Sequence, residues 1–216
     1  MLPNIHILGI QGSGKGTQSA LLVEKYNLDY ISSGNLFRER ASQNDALGHQ
    51  IANNLKAGQL LSTEVLLNTV DNHLKNNKIQ HGLLCDGVIR TLDQYNKLTP
   101  VWTAYNLENP FLIDLVLDEE EAVKRIEHRQ QELSNPEKQE YHLRYSGKLL
   151  QRTDDNPLAI KERFALFHRL TQPVVNVFQQ ENQCINSSAN QEIEAIHAQI
   201  CIALSNRYPL LSYVTH

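Results

Sequence analysis

Short apolar runs alternate with longer stretches of helical period along this 216-residue chain. Ile5-His6-Ile7-Leu8 reads as a first, buried strand. Leu28-Asp29-Tyr30-Ile31, Gly82-Leu83-Leu84-Cys85-Asp86, the run from Phe111 to Leu117, and Cys184-Ile185 read as four more. Between them, Ser19 to Tyr26, Gly34 to Ala41 and Ala46 to Lys56 read as helices, the last ended by Gly58 as a C′ residue. Ser62 or Thr63 caps a helix through Asn76, with Val65, Leu66, Val70 and Leu74 near a period of 3.6. Further helices are predicted over Leu92–Leu98 and Glu119–Gln131, the latter with Ala122, Val123 and Ile126 on one face. Asn156-Pro157 supplies an N-cap and an N1 proline for a long helix to about Gln180. Ile193, Ile196, Ile200 and Leu204 mark a final helix.

Strands alternating with helices predict an α/β fold: a five-stranded parallel sheet covered by helices on both faces, in one domain. Ligands in such sheets bind beyond the carboxyl ends of the strands. Two candidate elements fall there, the glycine-rich run after the first strand and Asp86 after the third.

That run, Gly9-Ile10-Gln11-Gly12-Ser13-Gly14-Lys15-Gly16-Thr17-Gln18, sits between a strand and a helix. Glycines let backbone N–H groups turn inward with no Cβ in the way. The helix start adds free donors and partial positive charge. Lys15 supplies a full charge for phosphates, and Gly12, Ser13, Gly14, Gly16 and Thr17 complete the cradle. The strict P-loop pattern places Ser or Thr directly after the lysine. Here Gly16 intervenes and Thr17 follows.

Composition narrows the class. The net charge is −4, so no basic surface advertises nucleic acid. Hydrophobic residues make up 41% of the chain, enough for a core of this size. No apolar run approaches the ~18 residues of a membrane span. The chain begins at once with a strand and lacks a charged leader, so no signal peptide is expected. The three cysteines, Cys85, Cys184 and Cys201, are odd in number and widely spaced, which favours free thiols and a reducing, cytoplasmic setting.

Phosphoryl transfer works by positioning and charge, so it gathers cations around a phosphate chain. Arg38, Arg90, Arg125, Arg129, Arg152 and Arg163 punctuate the sequence. Arginine suits the task because its planar fork grips phosphate oxygens and stays charged. Each has a plainer explanation as a solvated surface charge, and Arg125 lies one helical turn from Glu121. Asp86 fits either a turn residue or the carboxylate that organises Mg²⁺, directly or through water.

Four segments together carry a family resemblance. Beside the glycine run stand Ile31-Ser32-Ser33-Gly34-Asn35-Leu36-Phe37-Arg38, Asp86-Gly87-Val88-Ile89-Arg90-Thr91-Leu92-Asp93-Gln94, Val123 to Arg129, and Arg152-Thr153-Asp154-Asp155 with Arg163. In this order and spacing the chain resembles the adenylate kinases, P-loop nucleoside monophosphate kinases, from the glycine run to about residue 180. The resemblance implies ATP and AMP as substrates, Mg²⁺ as cofactor, a helical NMP-binding insert over about 32–62 and a mobile lid over about 130–151. It implies that Lys15 and the loop hold ATP, with Arg125 beside the donor base and Arg129 at the phosphates. Arg38 and Arg90 would hold the acceptor phosphate, and Arg152 and Arg163 the transferring group. Ser33, Gly34, Gly58, Leu60, Gly87 and Gln94 would line the AMP pocket, with Gln94 donating to and accepting from adenine. It further implies a monomer with neither a nucleic-acid nor a membrane partner. The lid interval has no cysteine, so no structural zinc is expected.

Three departures from the family pattern stand out. Val88-Ile89 replaces a Phe-Pro pair whose peptide bond is cis, which puts the aim of Arg90 in question. Ile10-Gln11 replaces a usual proline in the glycine run. The lid segment has an unusual polar sequence of intermediate length. Acceptors other than AMP, namely UMP, CMP or another nucleotide, and a non-catalytic nucleotide-binding role are the alternative readings.

Overall fold

The structure is a computed structural model that describes residues 1–133, 156–209 and 211. Five parallel strands, β1 (Asn4–Gly9), β2 (Asp29–Ser32), β3 (Leu83–Asp86), β4 (Phe111–Val116) and β5 (Cys184–Ser188), form one sheet in the order β2-β3-β1-β4-β5. The helices are α1 (Lys15–Tyr26), α2 (Ser33–Ala41), α3 (Ala46–Lys56), α4 (Thr63–Asn76), α5 (Leu92–Ala104) and α6 (Glu119–Leu133). Beyond the lid interval follow α7 (Pro157–Leu166), a π turn (Phe167–Thr171), α8 (Gln172–Gln180) and α9 (Ile193–Arg207). This is the predicted P-loop type of α/β fold.

Both faces of the sheet are covered, which explains why its strands read as unbroken apolar runs. Leu8, Leu83, Cys85 and Leu112 face Ile51, Val70, Leu98, Trp102 and Phe178. Their neighbours Ile7, Leu84 and Ile113 point the other way, onto Leu22 and Tyr26 of α1 and Ile200 and Leu204 of α9. A third cluster joins Ile10 of the glycine loop to Ala122 and Ile126 of α6 and Ile160 and Phe164 of α7. That cluster fixes the loop between two helices that carry candidate arginines.

Two helices depart from the sequence expectation. The helix predicted to end at Leu98 runs through Pro100 to Ala104, because Leu98 and Trp102 are both fully buried in the core. Tertiary packing there overrides the proline. The single long helix from Pro157 to Gln180 is interrupted by the π turn, directly before Pro173 in the first turn of α8. Proline has no N–H to continue the ladder, and the wider turn absorbs the break. Cys85 and Cys201 are buried and Cys184 half-buried, all three as free thiols. The segment expected to form a lid, about 130–151, lies largely outside the described residues, as do the last five positions.

Candidate active site

The carboxyl ends of β1, β2 and β3 open into a cleft of about 1210 Å³. In register, Ile7 and Ser32 both flank Asp86, so the glycine loop, the start of α2 and the Asp86 turn share one rim. Every site residue predicted from sequence lines this cleft except Arg152, which lies outside the described residues.

The loop is shaped for an anion. Gly14 caps α1 with φ 87° and offers no side chain to the first-turn amides. Those donors are left for a ligand, as at other helix starts that hold phosphate. Gly12, at φ +91°, lies so close to α6 that a Cβ there would sit 2.7 Å from the Ala122 carbonyl oxygen. Gly14 has open space on its corresponding side. Lys15 Nζ curls back and donates to the carbonyls of Gly9 and Ile10, both at 2.8 Å. Ser13, Gly16 and Thr17 line the same hollow.

The Asp86 turn is tied down from three sides. Tyr30 of β2 donates its hydroxyl to Asp86 Oδ2 at 3.1 Å. The Gly87 carbonyl accepts from Ser33 Oγ at 2.7 Å and from Arg90 Nε at 2.8 Å. Thr171 Oγ1 donates to the Arg90 carbonyl at 3.1 Å. The Val88–Ile89 peptide is trans, and Arg90 still lines the cleft. Burial lowers the Arg90 pKa from its usual value, the Asp86 charge opposes this, and the Arg163 charge adds to it. Two guanidinium groups therefore lie within electrostatic reach of each other, an arrangement that an anion between them would relieve.

Gln94 behaves differently from its expected role as both donor and acceptor to a base. Its Oε1 accepts the Arg90 backbone N–H at 2.8 Å, and the side chain is 4% exposed. A backbone N–H requires an acceptor, so this bond fixes which way the amide is turned. The NH₂ end is the one that remains to read a ligand.

The other cations are placed by short local contacts. Arg38 Nη2 donates to Asn35 Oδ1 at 2.7 Å on α2. Arg125 Nε pairs with Glu121 Oε1 at 2.9 Å, the helical neighbour expected of it, while still lining the cleft. Arg129 stands one turn further along α6. Arg163 of α7 reaches across to Gln11 Oε1 at 2.9 Å and the Leu55 carbonyl at 3.2 Å. Gly58, at φ +74°, packs on α7 so tightly that a Cβ would come within 2.6 Å of the Ala159 carbonyl oxygen. Gly34 and Leu60 line the same cleft.

Tyr30, Thr171 and Asp114 escaped the sequence reading, and Gln11 entered it only as a departure within the glycine run. Asp114 sits in β4 with 6% exposure, and burial pushes its carboxyl up to about 6 against the opposing charge of Lys15. Nothing in an apolar run marks such a residue in advance.

Among the described residues no three His, Cys, Asp or Glu side chains converge as a metal cage. Mg²⁺ does not need one, since it takes one or two carboxylates together with waters and substrate phosphates. Asp86, held by Tyr30 at the rim beside the loop, fits that requirement.

Comparison with known proteins points the same way. The family model described as adenylate kinase matches residues 7–183. An adenylate kinase of Parabacteroides distasonis is 30% identical over 203 residues, covering 94% of this chain and 98% of that protein. One from Alkaliphilus oremlandii is 28% identical over 212 residues, covering 93% and 97%. One from Bacillus subtilis is 26% identical over 209 residues, covering 91% and 95%.

Proposed function

The chain belongs to the adenylate kinase family, and on that premise we propose that its cleft moves the γ-phosphoryl group of ATP reversibly to AMP, giving two ADP. The observation that carries the reading is the gathering of Lys15, Arg38, Arg90, Arg125, Arg129 and Arg163 along one cleft around the glycine loop. Like charges brought together beside an open helix start make a site whose missing part is polyphosphate.

The amides of Gly12 to Thr17 and Lys15 hold the donor phosphates, with Arg125 and Arg129 entering from α6. Arg38 and Arg90 hold the acceptor phosphate, whose oxygen attacks in line. Arg163, joined by Arg152, stabilises the transferring group. No covalent intermediate is involved; the side chains contribute orientation and preorganised charge. Asp86 would hold Mg²⁺, directly or through water, and the ion would supply further neutralisation of phosphate charge. The segment 32–62 serves as the acceptor-binding insert, and the lid over 130–151 serves to exclude water.

The Gln94 geometry supports AMP as acceptor. Its outward NH₂ donates well to the ring N1 of adenine, which is an acceptor. Guanine and uracil present an N–H at the matching edge and would meet donor with donor.

No helix among the described residues is long and apolar enough to cross a membrane. The working form we propose is a cytoplasmic monomer, because one chain supplies both sides of the cleft and its three thiols are free.

ADP formation from ATP and Mg²⁺ with AMP, CMP, UMP and GMP in turn tests the reading. Turnover with AMP well above the others is the expected result. Preference for a pyrimidine would overturn the acceptor assignment, and binding of ATP without turnover on any acceptor would overturn the chemistry.

A further inference from the structure

We propose that Gln11 is a positioning residue for phosphoryl transfer, holding the Arg163 guanidinium at the junction of the donor and acceptor sides while its remaining N–H groups meet phosphate. The inference rests on the reading of Arg163 given above. Its own ground is a contact spanning 152 residues: Arg163 Nη1 donates to Gln11 Oε1 at 2.9 Å. The same guanidinium donates Nη2 to the Leu55 carbonyl, near the C-terminal end of α3, at 3.2 Å. One side chain thus bridges the glycine loop and the acceptor-side insert.

Such a bridge needs a rigid base, and Gln11 has one. It precedes Gly12, whose backbone is pressed against Ala122, and follows Ile10, which is packed among Ala122, Ile126, Ile160 and Phe164. Ser13 N–H also closes the loop onto the Ile10 carbonyl at 3.2 Å. The N–H donors of Arg163 select the amide oxygen of Gln11 rather than its nitrogen.

The neutrality of the acceptor matters. Arg90 and Arg163 repel each other across the cleft. An amide oxygen and a backbone carbonyl offset that repulsion as dipoles rather than as charges. A guanidinium has five N–H donors, so a phosphate oxygen can take those that remain while Gln11 and Leu55 keep the fork aimed. A carboxylate in place of the amide would compete with phosphate for the same fork.

The test measures kcat and both KM values for wild type, Gln11→Ala, Gln11→Glu, Arg163→Lys and the double variant Gln11→Ala/Arg163→Lys. Gln11 has no positive φ, so its replacement leaves the loop backbone unstrained; ATP affinity and the melting curve report whether the loop survives. Gln11→Ala should lower kcat about tenfold with both KM values within about twofold, since a small misplacement of a transfer group costs turnover. Gln11→Glu should lower kcat at least as far at pH 8 and recover relative to wild type toward pH 5, as the new carboxylate protonates. In the Arg163→Lys background the Ala substitution should have almost no further effect. A Gln11→Ala kcat within twofold of wild type, or an equal loss in both backgrounds, would overturn the proposal. Near-wild-type turnover of Arg163→Lys would instead overturn the role of Arg163 on which it rests.

Discussion

The hydroxyl of Thr171 donates to the backbone carbonyl of Arg90 across 81 positions of sequence, at 3.1 Å. Thr171 closes the π turn between α7 and α8 and is buried. A π turn inserts an extra residue into the helical repeat, so it shifts which side chain faces the sheet. Here it brings a hydroxyl onto the strand-end turn that carries Arg90. Thr171→Val keeps the shape and removes the donor. The Arg90 carbonyl then loses its partner, at a cost of about 1–2 kcal/mol. The melting temperature should fall by several degrees and kcat by a few-fold, with ATP affinity unchanged. A melting temperature and kcat equal to wild type would show that the bond braces nothing.

Gly87 tests the same turn from the other side. It sits at φ +64°, and a Cβ on it would come within 2.7 Å of Arg90 Nη2. Gly87→Ala therefore costs roughly 1–2 kcal/mol of backbone strain and pushes the guanidinium aside. The obstacle is the far end of a flexible side chain, so the fold should survive while the arginine is misdirected. Steady-state kinetics should show a raised KM for AMP and a kcat lowered about tenfold or more. Unchanged AMP kinetics would mean that Arg90 does not work from this position.

How much of this was legible beforehand depended on whether a residue's neighbours in sequence were also its neighbours in space. The glycine loop, the Asp86 turn and the caps Ser62, Asn156 and Gly58 act within a few residues, and each was readable. Asp86 to Gln94 was readable as a motif too, yet the use of the Gln94 oxygen by the Arg90 N–H was not. Tyr30 looked like strand filling. Its partnership with Asp86 needs β2 beside β3 in the register that sets Ser32 opposite Asp86. The helix was expected over Leu92–Leu98, but burial of Trp102 carries α5 on through Pro100. The stretch from Pro157 to Gln180 reads as one helix, and no local rule sets the five residues of π turn before Pro173. Gln11 and Arg163 meet only once α7 has folded over the loop.

Lys15 gives the bluntest test of the site. Its ammonium makes two 2.8 Å bonds to loop carbonyls that a phosphate chain would draw it from. Lys15→Ala removes the charge that the glycine loop carries and leaves the sheet untouched. Turnover should fall by about 100-fold or more, with an unaltered circular dichroism spectrum. Activity within tenfold of wild type would contradict its placement at the phosphates.

Two buried groups on the same sheet predict opposing pH dependences. His6, 1% exposed, is held neutral by burial, with its pKa down to about 3. Below about pH 6.5 the unfolded chain takes up a proton that folded His6 refuses, so this group costs stability as pH falls. Asp114 works the other way. Its pKa is raised by burial from 3.8 to about 6, so between those values the folded chain keeps a proton that the unfolded chain has released. Its contribution is therefore fully present below about pH 4 and is lost as pH rises through 6. Asp114→Asn removes this ionisation while keeping the shape. The variant should gain up to about 3 kcal/mol over wild type above pH 7, and the gain should shrink to nothing near pH 4. Asp45, Asp71 and Asp93, all with lowered pKa values, titrate in both proteins and cancel in the difference. Unmasked from its counterweight, the His6 slope should make the variant lose stability more steeply on acidification from pH 6.5. Paired thermal melts at pH 4.5, 6 and 8 decide the matter, since a difference that stays constant across them would mean Asp114 is not buried as a raised carboxyl.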